Sequence, residues 1–247
     1  MKTQIKTGHT NISYHKDNLF IQEKIKNPFN HNIDYSILEK FDFVPKLIFN
    51  SPAEIHWEWI EGKQLEITND TIVKMAHLMK TIHNSKLDFP ASNHAARVKA
   101  YRKILNEKNI NLEILNKYYK KINLILKNMD KNTPLHNDLW DRNILVDKNN
   151  KIWIVDWEYA TKGDKHFDLA YFIESCRLTD QQETLLLNEY DDYDYEYIIQ
   201  QKIFVNYLII LWIWAQKIKP FDDKEFHEKI EFLVLELERY KKKWNTK

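Results

Sequence analysis

The segment His136-Asn-Asp138-Leu-Trp-Asp-Arg-Asn143 sets a carboxylate and a carboxamide five positions apart behind a histidine, and a second carboxylate, Asp156, follows 18 positions beyond Asp138. These are the groups that phosphoryl transfer from ATP requires. A carboxylate must orient the attacking hydroxyl and accept its proton, and hard oxygen ligands must hold Mg2+ against the phosphates. Asp138, Asn143 and Asp156 supply all three functions. Taken singly, Asp and Asn are ordinary turn formers; the joint pattern carries the inference.

Asp156 can meet Asp138 only if the chain reverses between them. From Asn143 to Asp156 two apolar runs flank the polar stretch Asp147 to Lys151. That is a β-hairpin pattern, which leaves the loop and brings its far end back beside it. Upstream, residues 3–25 read as two short strands around Lys16-Asp17-Asn18, 33–41 as a helix, 45–49 as extended and 55–60 as an aromatic, β-branched strand. Helical spacing begins behind an Asp70 or Thr71 cap, recurs over 110–129, and returns at about 165–176, 180–190, 196–218 and 222–243. Thr179 and Gln182 form a capping box for one of these helices. The expectation is an α+β chain, with a small sheet-rich lobe over residues 1–60 and a larger helical lobe over 61–247.

His136 to Asn143, Val155-Asp-Trp-Glu-Tyr159 and Gly163-Asp-Lys-His-Phe-Asp168-Leu-Ala170 together resemble the signature blocks of the choline kinase and aminoglycoside phosphotransferase superfamily. The resemblance implies a protein-kinase-like fold with ATP and Mg2+ as cofactors. Asp138 would be the catalytic base, Asn143 and Asp156 the metal ligands, His136 structural support, and Asp168 the acid bracing the catalytic loop. Gly163 would allow a tight return before its helix. Glu158 would be either an acid facing the metal and substrate or an exposed hairpin residue.

In the first lobe, Gly8-His-Thr10-Asn11-Ile-Ser-Tyr14 is similar to the phosphate-covering loop of choline kinases, whose backbone amides approach the nucleotide. The lysine expected from the third strand is assigned to Lys24, with Lys26 as the alternative, and its acidic partner to Asp34 or Glu39. Trp57-Glu58-Trp59-Ile60-Glu61-Gly62 resembles the hinge between lobes, where Glu58, Trp59 and Ile60 would present backbone groups to adenine and Gly62 would permit the turn.

The resemblance also implies an acceptor site. A quaternary ammonium donates no classical N–H hydrogen bond and is best held by aromatic faces with an acid nearby. The run Tyr207 to Gln216 looks like the aromatic-bearing substrate helix of choline kinases, with Trp212 as wall residue; Trp214 lies about 200° away around the helix. Glu174 resembles the acid that faces the substrate cation, and Trp140 and Tyr171 are further wall candidates.

Composition narrows the partners. Lys and Arg number 37 against 36 Asp and Glu, so no overall field draws the chain to nucleic acid or an anionic membrane. The apolar run Phe204 to Ala215 is short of the ~20 residues of a bilayer span and reads as a buried helix. One cysteine, Cys176, and a start without a secretion signal point to the cytoplasm. A small cationic alcohol is the expected partner, choline first, then ethanolamine, thiamine or an aminoglycoside. A nucleotide-binding pseudokinase is the non-enzymatic alternative.

Overall fold

The fold is a computed structural model that describes residues 2–5 and 11–245, so Gly8 and Thr10 lie outside the described residues. Five antiparallel strands open it: β1 (Thr3–Ile5), β2 (Ile12–Lys16), β3 (Leu19–Glu23), β4 (Leu47–Asn50) and β5 (Glu54–Glu58), in spatial order β1-β2-β3-β5-β4. β2 and β3 pair with Tyr14 opposite Ile21, and Asp17 at φ 54° makes the reversal between them. The stretch expected to be a helix is a single 3-10 segment, Tyr35–Lys40, capped by the Asp34 carboxylate through the Ser36 amide. Its buried Tyr35 and Leu38 pin it under the sheet.

β6 (Gly62–Gln64) leaves the first sheet. A Cβ on Gly62 would lie 2.9 Å from the Val146 carbonyl oxygen, so glycine is required there by close backbone approach, not by a turn. The chain continues through α1 (Asn69–His83), α2 (His94–Glu107), α3 (Glu113–Lys117), α4 (Tyr119–Asn128) and β7 (Thr133–Leu135). The cap of α1 is Thr68, reciprocated by the Thr71 hydroxyl. The helix expected over 110–129 is broken at Tyr118 into α3 and α4.

Next comes the hairpin, β8 (Ile144–Asp147) and β9 (Ile152–Ile154), with Leu145 opposite Trp153 and β6 on its outer edge. The Asp147 carboxylate stiffens its turn, accepting from the amides of Asn149 and Lys151 and from the Trp153 indole. β10 (Thr161–Gly163) pairs with β7, and a Cβ at Gly163 would fall 2.5 Å from Leu135 Cδ1, so any larger residue there would have to displace that side chain.

The chain ends in α5 (Lys165–Ser175), α6 (Asp180–Tyr190), α7 (Tyr195–Ala215) and α8 (Lys224–Asn245). The Thr179–Gln182 capping box starts α6. At 21 residues, α7 is long and apolar enough to cross a bilayer by length and composition, yet 72% of that window is buried inside the fold. It is apolar all round because α2, α4, α5 and α8 pack against it. One core joins the 3-10 segment, α1, α6 and the hairpin, and a second surrounds α7.

Candidate active site

β7 runs directly into the loop His136–Asn143, which α5 holds from below. Asp168 is fully buried, and its two carboxylate oxygens accept the His136 and Asn137 amides at 2.8 Å each; His83 Nε2 stands 3.3 Å from the same group. Asn137 takes a left-handed backbone, φ 67°, and its side-chain amide donates to Tyr159 O and Thr161 Oγ1. The strain of that conformation is therefore offset on both sides. His136 is fully buried; its Nε2 donates to Val155 O (3.0 Å) and its Nδ1 accepts the Asp138 amide (3.2 Å). Those two bonds specify the neutral ring, and burial holds its pKa down at about 4. The histidine ties the loop to the end of the hairpin.

Asp138 accepts from Asn143 Nδ2 (2.9 Å) on one oxygen and from the Tyr171 hydroxyl (2.5 Å) on the other. Burial raises its pKa to about 6; the Tyr171 hydrogen bond works against the rise and Glu158 adds to it. Asp156, at φ 63° and ψ 58°, turns its carboxylate toward the same space. Burial, then Glu158 and Asp138, push its pKa well above the carboxylate range, with Gln22 opposing. Its Oδ1 is buried without a hydrogen-bond partner.

Glu158 is 3% exposed, which removes the reading of an exposed hairpin residue. One of its oxygens gathers Asn11 Nδ2 at 2.9 Å, Asn30 Nδ2 at 2.8 Å and His31 Nε2 at 3.0 Å. It thus fastens the loop after β9 to the first sheet and to the loop behind β3. His31 and Asn30 carry no motif of their own and were not legible in the sequence.

Two expectations for the first lobe are corrected. Lys24 lies beyond the end of β3, and its Nζ is bonded to Asn50 Oδ1 and Ser51 O, away from the cleft. Phe20 and Gln22 face the cleft from within the strand, whereas Lys24, of the same parity, falls past its end and does not follow them. Lys26 is exposed and lines no part of the cavity. Asp34 is an exposed cap and Glu39 is exposed on the same 3-10 segment, so neither acid pairs with a strand lysine. Glu58, Trp59 and Ile60 do line the cleft. The Glu58 and Trp59 amides are taken by Lys46 O and Asn18 O, and Trp59 stacks on His15 with centroids 3.8 Å apart.

One cavity of about 950 Å³ runs from these hinge residues past Asp138 and Asp156 to the start of α8. Its far end is aromatic: Trp140, Tyr171, Trp212 and Phe221. Trp212 and Phe221 have ring centroids 6.2 Å apart. Phe221, in the loop between α7 and α8, carried no sequence signal. Trp214 turns elsewhere and donates its indole N–H to Asp223. Glu174 borders the cavity; Asn206 donates to one of its oxygens at 2.8 Å, while the other, 3.6 and 3.7 Å from Lys202 and Lys229, is buried without a hydrogen-bond partner. The acid expected to face a substrate cation thus lies on the cavity wall, with two lysines beside it.

Similarity to known proteins agrees with this geometry. Residues 37–197 match the phosphotransferase enzyme family. The chain belongs to that family. A protein LicA homolog of Mycoplasma capricolum subsp. capricolum is 47% identical over 93% of this chain and 96% of its own length. One from Metamycoplasma hominis is 43% identical over 98% and 99%. The crystal structure of choline kinase LicA from Streptococcus pneumoniae superposes with a TM-score of 0.74 at 19% identity, covering 97% of this chain and 94% of that one. LicA in complex with AMP gives 0.71 at 19% identity, covering 97% and 91%. The fold is therefore kinase-like, with a small antiparallel sheet lobe and a helical part, and the chain is a phosphotransferase acting on an alcohol.

Proposed function

We propose that this phosphotransferase moves the γ-phosphoryl group of Mg2+-ATP to the hydroxyl of choline. The observation that carries the reading is the position of Asp138. It stands in one continuous cavity between a hinge-like edge and an aromatic end, with its second oxygen already holding a hydroxyl, that of Tyr171. A substrate alcohol bound there would donate its proton to Asp138 as its oxygen forms a bond to the γ-phosphorus. The bond from that phosphorus to the bridging oxygen breaks, and ADP leaves with the electron pair.

The donor set fits a divalent cation. Three mutually repelling carboxylates, Asp138, Asp156 and Glu158, converge, and one Asp156 oxygen is buried without a partner. Asn143 spends its amide N–H on Asp138, which leaves its carbonyl oxygen as a ligand. Among the described residues no cluster of three or more His, Cys, Asp or Glu is arranged to hold a metal by itself. Mg2+ commonly binds through one or two protein oxygens plus phosphates and water. When bound, it would neutralise charge on the nucleotide phosphates. Asn143 and Asp156 would hold it, Glu158 would keep Asp156 in place, and His136 and Asp168 would hold the loop in register.

Ile60 and its neighbours would meet adenine, and Asn11 would end the loop that covers the phosphates. The aromatic faces of Trp140, Tyr171, Trp212 and Phe221 suit a quaternary ammonium, which prefers π surfaces to hydrogen-bond acceptors. The names of the LicA relatives support the same substrate. An ADP-release screen against choline, ethanolamine, thiamine and kanamycin, with Asp138→Ala as control, tests it. Choline should give the highest kcat/KM. Turnover of another acceptor with choline inert refutes the substrate, and nucleotide binding without turnover of any acceptor favours a pseudokinase.

A further inference from the structure

Three cations among the described residues line the cavity: Arg97, Arg142 and Arg177. Arg142 is exposed and lies over the Trp140 ring, and Arg177 is exposed and paired with Glu225 at 2.8 Å. Arg97, from the first turn of α2, differs from both. It is only 7% exposed, and it forms no ion pair with any described carboxylate under a 4.0 Å limit. Its Nε has no hydrogen-bond partner, and although burial works against its charge, Tyr101, Tyr159 and Tyr171 favour it, Tyr101 also through a hydrogen bond. The guanidinium carbon sits 4.8 Å from the centroid of Tyr159 and 6.0 Å from that of Tyr101.

Removing a guanidinium from water without a counter-ion costs several kcal/mol, and an aromatic face returns about 2 kcal/mol at most. A cation held this way in a cleft wall is matched to an anion that comes and goes. Its neighbours identify the anion. Arg97 shares the wall with Asp138, Tyr159 and Tyr171, where the hydroxyl and the phosphoryl group must meet. Across the cleft, the cleft-facing position of β3 holds the neutral Gln22 where kinases place a lysine on the phosphates.

We propose that Arg97 is the cation for the transferred phosphoryl group, its guanidinium donating to the non-bridging γ-oxygens of ATP, so that phosphate charge is met from α2 and not from β3. The assignment rests on the phosphotransferase reading of the cleft and not on which alcohol is phosphorylated. A planar, bidentate donor fits the spread charge of the transferring group better than a point charge does. No bond to Arg97 is made or broken in the step.

The test compares Mg2+-ADP with the Mg2+ complex of a non-hydrolysable ATP analogue carrying an imido β–γ bridge, by tryptophan fluorescence and without acceptor. Arg97→Met should weaken the analogue tenfold or more and leave ADP within about twofold, and kcat with choline should fall roughly 100-fold. Equal weakening of both nucleotides, or discrimination unchanged from wild type, overturns the assignment and leaves Arg97 a packing residue between two tyrosines. Should Arg97→Met not fold, Arg97→Lys decides between the two roles: a several-fold loss for the analogue alone is expected, and unchanged discrimination overturns the assignment. Failure of the choline reading looks different, because wild type would then discriminate between the nucleotides yet fail to phosphorylate choline.

Discussion

Replacing Asp168 by Asn keeps size and shape but removes what the catalytic loop depends on. Asp168 offers two acceptor oxygens to two backbone amides at 2.8 Å, those of His136 and Asn137, and it is fully buried. An asparagine has one carbonyl oxygen, so its amide nitrogen would face one of those N–H donors at hydrogen-bond distance. One charge-assisted bond is lost outright, worth about 1.5–3 kcal/mol, the other becomes neutral and weaker, and a buried donor is left unpaired. Together these amount to about 3–5 kcal/mol, of the size found when a buried charge interaction is broken. For a chain of this length the thermal midpoint should fall by roughly 6–20 °C, measured by calorimetry or circular dichroism. Activity should fall further than stability accounts for. Asn137 holds its left-handed backbone beside Asp138 only while its amide is anchored, and a misplacement of about 1 Å can cost on the order of 100-fold in rate. At a temperature where the variant is fully folded, kcat should therefore drop about 100-fold with little change in nucleotide affinity. A variant within about 0.5 kcal/mol of wild type, or one destabilised but with kcat intact, would refute the bracing role.

Tyr171→Phe removes a donor from Asp138, whose pKa of about 6 that hydrogen bond restrains. On the proposed mechanism Asp138 must be ionised to accept the proton, so a higher pKa moves the acid limb of kcat/KM to higher pH, by about one unit; a limb that stays put, or moves to lower pH, contradicts the contact. Trp212→Ala should raise the KM for choline by about tenfold and leave that for ATP within twofold; an equal change in both would mark Trp212 as packing. Lys202 is buried between Glu183 at 2.7 Å and Glu174 at 3.6 Å, so Lys202→Met should destabilise by about 3–5 kcal/mol at pH 7. Burial raises the Glu183 pKa even with the lysine present. Without it the acid protonates more readily still, and since a raised folded pKa gives stability at low pH that is lost as pH rises, the deficit measured by urea titration should shrink toward pH 4.5. A deficit independent of pH would show that the loss is one of packing.

What the sequence by itself determined is local. Asp138, Asn143 and Asp156 were legible because a loop and a hairpin fix their spacing, and turn chemistry and strand alternation act over a few residues. The hinge strand, the α6 cap and the helical second half follow from the same short-range rules. The tertiary structure decided whatever depends on which face a residue presents or on who stands opposite. Alternation alone would put Gln22 and Lys24 on one face, and it is the end of β3 at Glu23 that leaves Gln22 in the cleft and Lys24 outside. Tyr171 reads from the sequence as a wall candidate, and only the loop packed on α5 shows that its hydroxyl meets Asp138. Glu174 looks like an isolated acid in the sequence, and only packing shows lysines of α7 and α8 standing near it. Arg97, His31, Asn30 and Phe221 belong to no motif. Each acquires its role from neighbours far away in the chain, and only packing brings such neighbours together.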